Sequence, residues 1–300
     1  MIEPDVVKLV ELRVATPFGE LAALQWGDAD APPLLALHGW LDSAASFTRL
    51  APLLAAHRRL IALDLPGHGH SAHMPTSVHR YNNLDQVDHV LDFADALKLD
   101  RFDLLGHSLG AGIASITAAA APARIGKLLL IEGLGPLADD GSQTLSRWHD
   151  AHAQRETLRR QPRVFASADI AVRARVAAGG LDAEEARPIV ERNLRNVDGG
   201  FTWRSDPRLR LTTPLRIEEM QLRRLLAGIA APTLLLLAEP ATPYLPSAMM
   251  EARAACVTDI RIAHIAGPHH LHVRHPHDVA DHVSQFLQQW KPEKQQPQRP

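Results

Sequence analysis

The sequence predicts an α/β fold: a mostly parallel sheet with helices on both faces and a helical segment inserted late in the chain. Three observations carry this expectation. Short, wholly apolar runs recur along the chain, separated by amphipathic or Ala-rich stretches of helical length. That is the pattern of strands buried on both faces by crossover helices. The pentapeptide Gly106-His107-Ser108-Leu109-Gly110 stands between one such run and one such helix. From about 135 to 226 the apolar runs stop, and a stretch with 16 arginines and no lysine replaces them.

In chain order, Leu9 to Ala15 and Leu21 to Trp26 read as an antiparallel pair around the turn at Pro17-Phe18-Gly19. Leu34 to Leu37 is an all-apolar strand, and Leu60 to Leu63, Phe102 to Leu105 and Leu128 to Ile131 repeat the type. Helical patterns fill the gaps at Ala45 to Ala55, Leu84 to Leu97 and Leu109 to Ala120. The arginine-rich stretch reads as several short helices with Gly-Gly and Pro breaks, a cap or lid over the sheet's carboxyl edge. Strands resume at Thr233 to Leu237 and Ile260 to Ile265, and an amphipathic helix runs from about His277 to Trp290. Residues 1–134 and 227–290 are thus expected to form the core and 135–226 the cap. Residues 291–300, rich in Gln and Pro, are expected to be disordered.

Composition bounds the function. The 300 residues are 46% hydrophobic and 22% charged, with a formal net charge of −2. These values fit a soluble globular protein and give no nucleic-acid or membrane signal. No apolar run approaches the ~18 residues of a membrane span. The N-terminus lacks the basic and apolar regions of a signal peptide. Cys256 is the single cysteine, expected as a small buried hydrophobe, and a reducing, cytoplasmic setting fits.

The pentapeptide is a G-x-S-x-G sequence in strand–turn–helix context, the setting of a nucleophile elbow. The turn is so sharp that its neighbours must be nearly free of side chain, which Gly106 and Gly110 allow. Ser108 is the expected nucleophile. A serine hydroxyl needs a base, and the loop after the last strand offers His269, with His270 and His272 as competitors. With His275 and His277 these histidines could suggest a metal site, but no carboxylate or cysteine ligands stand at matching spacing, so no metal is expected. For the acid, Ala241 stands where an aspartate would often stand after the penultimate strand, leaving only Glu239 there. Glu132 ends an otherwise apolar strand, which is costly unless the carboxylate is paired or at the rim, and it is favoured over Glu239. The oxyanion donors are expected to be the backbone N–H groups of Leu109, at a helix N-terminus, and of Trp40, in the loop after Leu37. His38, Trp40, His107, Trp148, Phe165 and Trp203 are the candidates for lining the substrate pocket. The segment Asp64 to Ser71 reads as a turn that braces the oxyanion loop.

Together these pieces resemble the α/β-hydrolase superfamily, and more closely its serine hydrolase-like branch. The resemblance rests on His38-Gly39-Trp40-Leu41-Asp42, Asp64-Leu65-Pro66-Gly67-His68-Gly69, the pentapeptide, and Ile131-Glu132-Gly133-Leu134-Gly135-Pro136. It extends to Trp203-Arg204-Ser205-Asp206-Pro207-Arg208-Leu209 and His269-His270-Leu271-His272, and so covers nearly the whole chain except the tail. It implies an eight-stranded, mostly parallel sheet, a helical lid after the sixth strand and a Ser–His–acid triad. Ala241 departs from the usual pattern, and some superfamily members place the acid after the sixth strand, as Glu132 would be.

The expected function is a serine hydrolase, a carboxylesterase or thioesterase acting on a small acyl substrate, with no metal or organic cofactor required. The arginines of the inserted segment could favour an anionic acyl substrate. Carbon–carbon bond hydrolysis, acyl transfer and a non-catalytic binding role are the alternatives, since fold and triad do not choose the substrate. Dehalogenase and epoxide hydrolase chemistry is disfavoured, because those relatives carry an aspartate where Ser108 stands. The oligomeric expectation is a monomer or homodimer.

Overall fold

The computed structural model describes residues 8–159 and 163–289. The expected disordered tail and Trp290 lie outside them. β1 (Val10–Thr16) alternates in exposure as an edge strand should, and it pairs antiparallel with β2 (Gly19–Trp26). β3 (Pro33–Leu37) leads through a 3-10 turn at Ala44–Phe47 and the single-turn helix α1 (Ala51–Leu54) to β4 (Arg59–Leu63). The sequence suggested one helix over Ala45 to Ala55; two short pieces stand there instead. Pro52 occupies the second position of α1, where its missing N–H costs nothing, but a helix continuing from Phe47 would set its ring against the Thr48 carbonyl.

The centre of the chain is more regular. α2 (Gln86–Ala96), β5 (Phe102–His107), α3 (Leu109–Ala120) and β6 (Ile125–Ile131) follow one another with short connections. Beyond the inserted segment come β11 (Thr233–Glu239), α8 (Ser247–Ala254), β12 (Ile260–Ala266), the one-turn α9 (Leu271–Arg274) and α10 (Pro276–Gln289). The eight-stranded sheet has the order β1-β2-β4-β3-β5-β6-β11-β12, and only β2 runs against the rest. The strands at its middle are buried on both faces, which is why they read as unbroken apolar runs. One face packs on α2, α3 and α8 through residues such as Val90, Phe93, Ile113 and Met250. The other packs on α1 and α10 through Leu50, Leu54, Val283 and Phe286. α3 is built almost wholly of small residues and is buried nearly all round. Its Ser115 and Thr117 hydroxyls donate to the carbonyls one turn back, at Ala111 and Ile113, so no polar group is stranded inside. Cys256 is half-buried rather than fully buried, with its thiol directed to the Ala252 carbonyl.

The inserted segment contains β7 (Ala138–Asp139), α4 (Thr144–Ala153), α5 (Ala168–Ala177), α6 (Ala183–Arg192), β8 (Leu194–Val197), β9 (Gly200–Trp203), β10 (Ile217–Glu218) and α7 (Glu219–Leu226). It is therefore not helical throughout: β8 and β9 form a hairpin around Gly199, and β10 pairs with β7. α5, α6 and the hairpin share a small core of their own with Phe165, Ile189 and Trp203. α6 opens with a capping box, in which Asp182 and Glu185 each accept the other's backbone N–H. α7 behaves differently: Leu222 and Leu226 lie in the main core, on the face of the sheet that α3 covers. The fully buried Arg253 of α8 ties these parts together. Its guanidinium donates to the Leu134 and Pro136 carbonyls and to the Glu219 carboxylate, the last at 2.7 Å.

Close backbone approach fixes the centre. A Cβ on Gly110 would overlap the Leu37 carbonyl of β3, and one on Gly106 would overlap the Gly110 carbonyl. Neither obstacle is a side chain that could rotate away. Gly110→Ala is therefore expected to cost about 4 kcal/mol or more, read as a fall in the urea midpoint at unchanged slope. Gly179→Ala provides the contrast. That glycine has φ +90° with nothing within 4 Å of the added carbon, so only the ~1–2 kcal/mol of backbone strain applies. Equal losses in the two variants would contradict this account.

Candidate active site

β5 ends at His107 and α3 begins at Leu109, so a single residue makes the turn. Ser108 does so with φ 52° and ψ −112°, a region costly for a residue with a Cβ. Its own N–H donates to the Ile131 carbonyl at 3.0 Å, and its carbonyl accepts from Gly112 N–H at 3.1 Å. Both peptide groups are thereby committed, and the side chain faces a cavity of about 860 Å³ above the carboxyl edge of the sheet. Leu109, the first residue of α3, also lines this cavity; the first N–H groups of a helix have no partner within it. Three of the non-glycine residues with positive φ, Leu41, Ser108 and Glu132, lie around the cavity, while Lys98 lies elsewhere. Strain concentrated in this way is common at functional sites.

Glu132 follows β6 directly, opposite the turn. Its carboxylate is almost fully buried, and every partner comes from the neighbouring strand's exit or the last loop. Oε1 accepts the Ala238 N–H at 2.6 Å; Oε2 accepts from Thr242 Oγ1 at 3.2 Å and lies 3.0 Å from His269 Nδ1. A carboxylate can only accept, so Nδ1 carries the hydrogen and the ring's second nitrogen, Nε2, is left with its lone pair. His269 lines the same cavity as Ser108. Glu239 is exposed at the end of β11, and its side chain makes no hydrogen bond to His269. Asp206 is occupied elsewhere, by Tyr81 and Arg208.

The loop after β3 is held from below by neutral histidines. His38 Nδ1–H donates to the Gly39 carbonyl at 2.8 Å, while its Nε2 accepts the Leu65 N–H at 3.0 Å. His68 Nε2 accepts the Leu41 N–H, and its Nδ1–H donates to the Pro66 carbonyl. Asp64, fully buried, accepts the N–H groups of Ala44 and His70 and pairs with Arg192 of α6 at 2.7 Å. The segment from Asp64 onward thus braces the loop that presents Trp40, as its sequence suggested.

The cavity gathers some of the expected residues and not others. Trp40, Leu109, His107, Ser108, Glu132 and His269 line it. His38 does not; it is fully buried within the brace. Trp148 stands about half exposed on α4, with Arg80 over its ring, away from the cavity lining. Phe165 and Trp203 pack edge to face in the separate core of the inserted segment. From sequence His270 figured only as a competing base, and Asp42 and Tyr244 were given no role; Asp42 faces His270 across 3.2 Å, and the Tyr244 ring meets His269 edge-on at 5.2 Å. It also did not single out which arginines reach the cavity: Arg175, Arg208, Arg210 and Arg216 do. Arg208 is committed to Asp206 and to the Met74 and Pro75 carbonyls. Their positions depend on how the inserted helices pack, for which periodicity gives no signal.

Comparison with known proteins places this arrangement. The sequence model of the α/β hydrolase fold family matches residues 32–195. A serine hydrolase-like protein of Danio rerio is 30% identical over 96% of this chain and 91% of its own length. A probable serine hydrolase of Drosophila melanogaster is 29% identical over 93% of this chain and 88% of its own. Among solved structures, a hypothetical protein of Pseudomonas aeruginosa superposes with a TM-score of 0.83 at 36% identity, covering 95% of this chain and 99% of that one. The chain belongs to the α/β hydrolase fold family, in its serine hydrolase-like branch, and is a hydrolase. Among the described residues no helix is long and apolar enough to cross a membrane.

Burial has a consequence for acid stability. It pushes His68 and His272 down to about 3, helped at His68 by His38 and at His272 by His270, and it lowers His38 and His107 as well. Below the ordinary histidine value near 6.5 the unfolded chain binds these protons and the fold does not. Stability is therefore complete above pH ~6.5 and falls as the pH drops, by up to ~1.4 kcal/mol per pH unit for each such histidine. His272→Leu, which removes one of these groups, should flatten the fall in unfolding free energy between pH 6.5 and 5 by about one proton's worth. Parallel slopes for the variant and the parent protein would rule out that contribution.

Proposed function

We propose that this hydrolase is a carboxylesterase or thioesterase that cleaves small acyl substrates through Ser108, His269 and Glu132. The observation that carries the reading is the 3.0 Å contact between Glu132 Oε2 and His269 Nδ1 in the cavity onto which the strained Ser108 opens. Glu132 fixes the tautomer, so His269 Nε2 is the base and Glu132 stabilises the imidazolium that forms. Ser108 Oγ attacks the acyl carbon as its proton passes to Nε2, and the Trp40 and Leu109 N–H groups hold the oxyanion. The imidazolium then protonates the leaving alcohol or thiol as its bond to the acyl carbon breaks. Water attacks the acyl-enzyme, giving its proton to His269, which returns it to Ser108 as the acid leaves. On this reading residues 135–226 act as the cap, with α7 anchored on the sheet and the C-terminal end of α5 and the stretch from Arg208 to Thr213 lining the cavity.

A fluorophosphonate probe tests the serine directly, since only an activated hydroxyl reacts. The parent protein should label, and Ser108→Ala should be folded, unlabelled and inactive on p-nitrophenyl esters. Glu132→Gln keeps the shape but not the charge and should lower kcat by about 10³–10⁴ with little change in KM. Labelling that persists without Ser108, or full activity in Glu132→Gln, would sink the assignment.

The arginines suggest the substrate's charge. Arg208 is held by Asp206 and Arg175 lies beside Asp42, whereas Arg210 and Arg216 face the mouth of the cavity exposed. An acyl substrate with a free carboxylate or phosphate should therefore be preferred over a neutral one of equal length. The expected result is a several-fold higher kcat/KM for the anionic ester in dilute buffer that shrinks in ~0.5 M salt, as screening requires. Equal values at both ionic strengths would leave the cavity charge-blind.

A further inference from the structure

Beside the Ser108 side of the cavity lies a second cluster that the hydrolysis does not use. Asp42, His107 and His270 line the cavity, come from the loop after β3, the end of β5 and the loop after β12, and offer ligand atoms that all lie within 4.8 Å of one another. His107 is almost wholly buried. Its Nε2 faces the His269 carbonyl at 3.1 Å, and a carbonyl can only accept, so Nε2 carries the hydrogen. Nδ1 is left with a bare lone pair and no partner. Asp42 Oδ1 has no hydrogen-bond partner either. The lone pair and the carboxylate converge on one place: a Cβ on Gly39 would lie 3.0 Å from His107 Nδ1 and 3.4 Å from Asp42 Oδ2. His270 Nε2 meets Asp42 Oδ2 at 3.2 Å and Arg175 Nη2 at 3.4 Å, and one ring nitrogen cannot accept from the arginine and donate to the carboxylate at once.

His107 Nδ1 and Asp42 Oδ1 are buried acceptors without a donor, which is unfavourable, and a cation beside them removes that cost. Arg175 of α5 does so only loosely, since its 3.5 Å contact with Asp42 Oδ1 is well beyond a charge-assisted hydrogen bond. We propose that Asp42 Oδ2, His107 Nδ1 and His270 Nε2 form a binding site for a divalent transition-metal ion, zinc or cobalt, with its remaining coordination positions open to the cavity. Two imidazoles and one carboxylate suit such ions, and bonds of ~2.0–2.2 Å separate ligand atoms by a little over 3 Å, as His270 and Asp42 already are. The hydrogen that His107 Nε2 donates to the His269 carbonyl is the outer contact that sets a metal-binding imidazole's tautomer. The ion takes the place of the Arg175 guanidinium, which must swing away because two cations cannot share Asp42 at this distance. This site differs from the five-histidine run whose spacing argued against metal: the ligands come from three separate segments of the chain, which no local spacing reveals.

Titration of the full chain with Co²⁺, followed by its visible absorption, reads binding without reference to hydrolysis. Failure here therefore leaves the Ser108 mechanism standing, and the converse. One ion per chain is expected, displaced by Zn²⁺. His270→Leu should weaken binding by about 100-fold or more, and Arg175→Ala, which removes the competing charge, should tighten it several-fold. Should His270→Leu fail to fold, Asp42→Asn keeps the shape and gives the same loss. Absence of stoichiometric Co²⁺ binding overturns the proposal. So do retained affinity in His270→Leu or Asp42→Asn, and binding in Arg175→Ala that is unchanged or weaker.

Discussion

The reversal from β5 into α3 within one residue is the constraint on which the rest of this structure depends. It is possible only because two glycines let three backbone segments touch: Gly110 lies against the Leu37 carbonyl, and Gly106 against the Gly110 carbonyl. That contact sets the height of α3 over the sheet and brings its N-terminus beside the loop that carries Trp40. A helix of alanines, glycines and small hydroxyl residues follows from the same demand, since α3 is enclosed between the sheet, α2 and α7. The strain at Ser108 is stable because the peptide groups on both sides are already bonded, to Ile131 and to Gly112.

The second organising interaction is the buried carboxylate of Asp64. Taking it out of water is expensive, and two backbone N–H groups and the Arg192 guanidinium offset the cost. The arrangement has little room for variation, because removing any partner leaves a charge inside the protein. It also joins distant parts of the chain: Asp64 follows β4, Ala44 lies in the turn before α1, and Arg192 ends α6 of the inserted segment. The neighbouring Gly69 N–H donates to Asn193, one residue beyond Arg192. The placement of α6 over the sheet is thus linked to the rigidity of the loop beneath it.

Much of this was legible in the sequence, and the reasons are particular. The strands at the sheet's centre show as unbroken apolar runs because both of their faces are covered. α3 could be bounded to the residue because the glycines of the turn mark its start and alanine fills it. Glu132 stood out because a carboxylate at the end of an apolar strand demands a partner, and it has three. The inserted segment was less readable. Phe165 and Trp203 were recognisably apolar, but hydrophobicity says that a side chain is buried and not against what; here it is their own small core. The β8–β9 hairpin is too short for alternation to register. Asp42, His107 and His270 are separated by 65 and 163 positions in the chain, and only the sheet's topology brings them together.

The seat of Glu132 has a bearing on how this chain could vary. The strand that precedes it is hydrogen-bonded to the strand that leads into Ser108, with His107 beside Ile131. Serine, carboxylate and the Trp40 loop therefore lie within one continuous stretch of fewer than a hundred residues, all of it before the insertion. Had the carboxylate stood at position 241, where an aspartate would often stand after the penultimate strand, its distance from the serine would have depended on everything between β6 and β11. As it stands, only the histidine loop must find its place across that interval, and it does so through strands already in register. Apart from α6, which supplies Arg192 to Asp64, and α7, which fills the main core, the interval can lengthen or shorten while the serine and the carboxylate keep their spacing, so the chemistry does not depend on the length of the chain that lines the cavity.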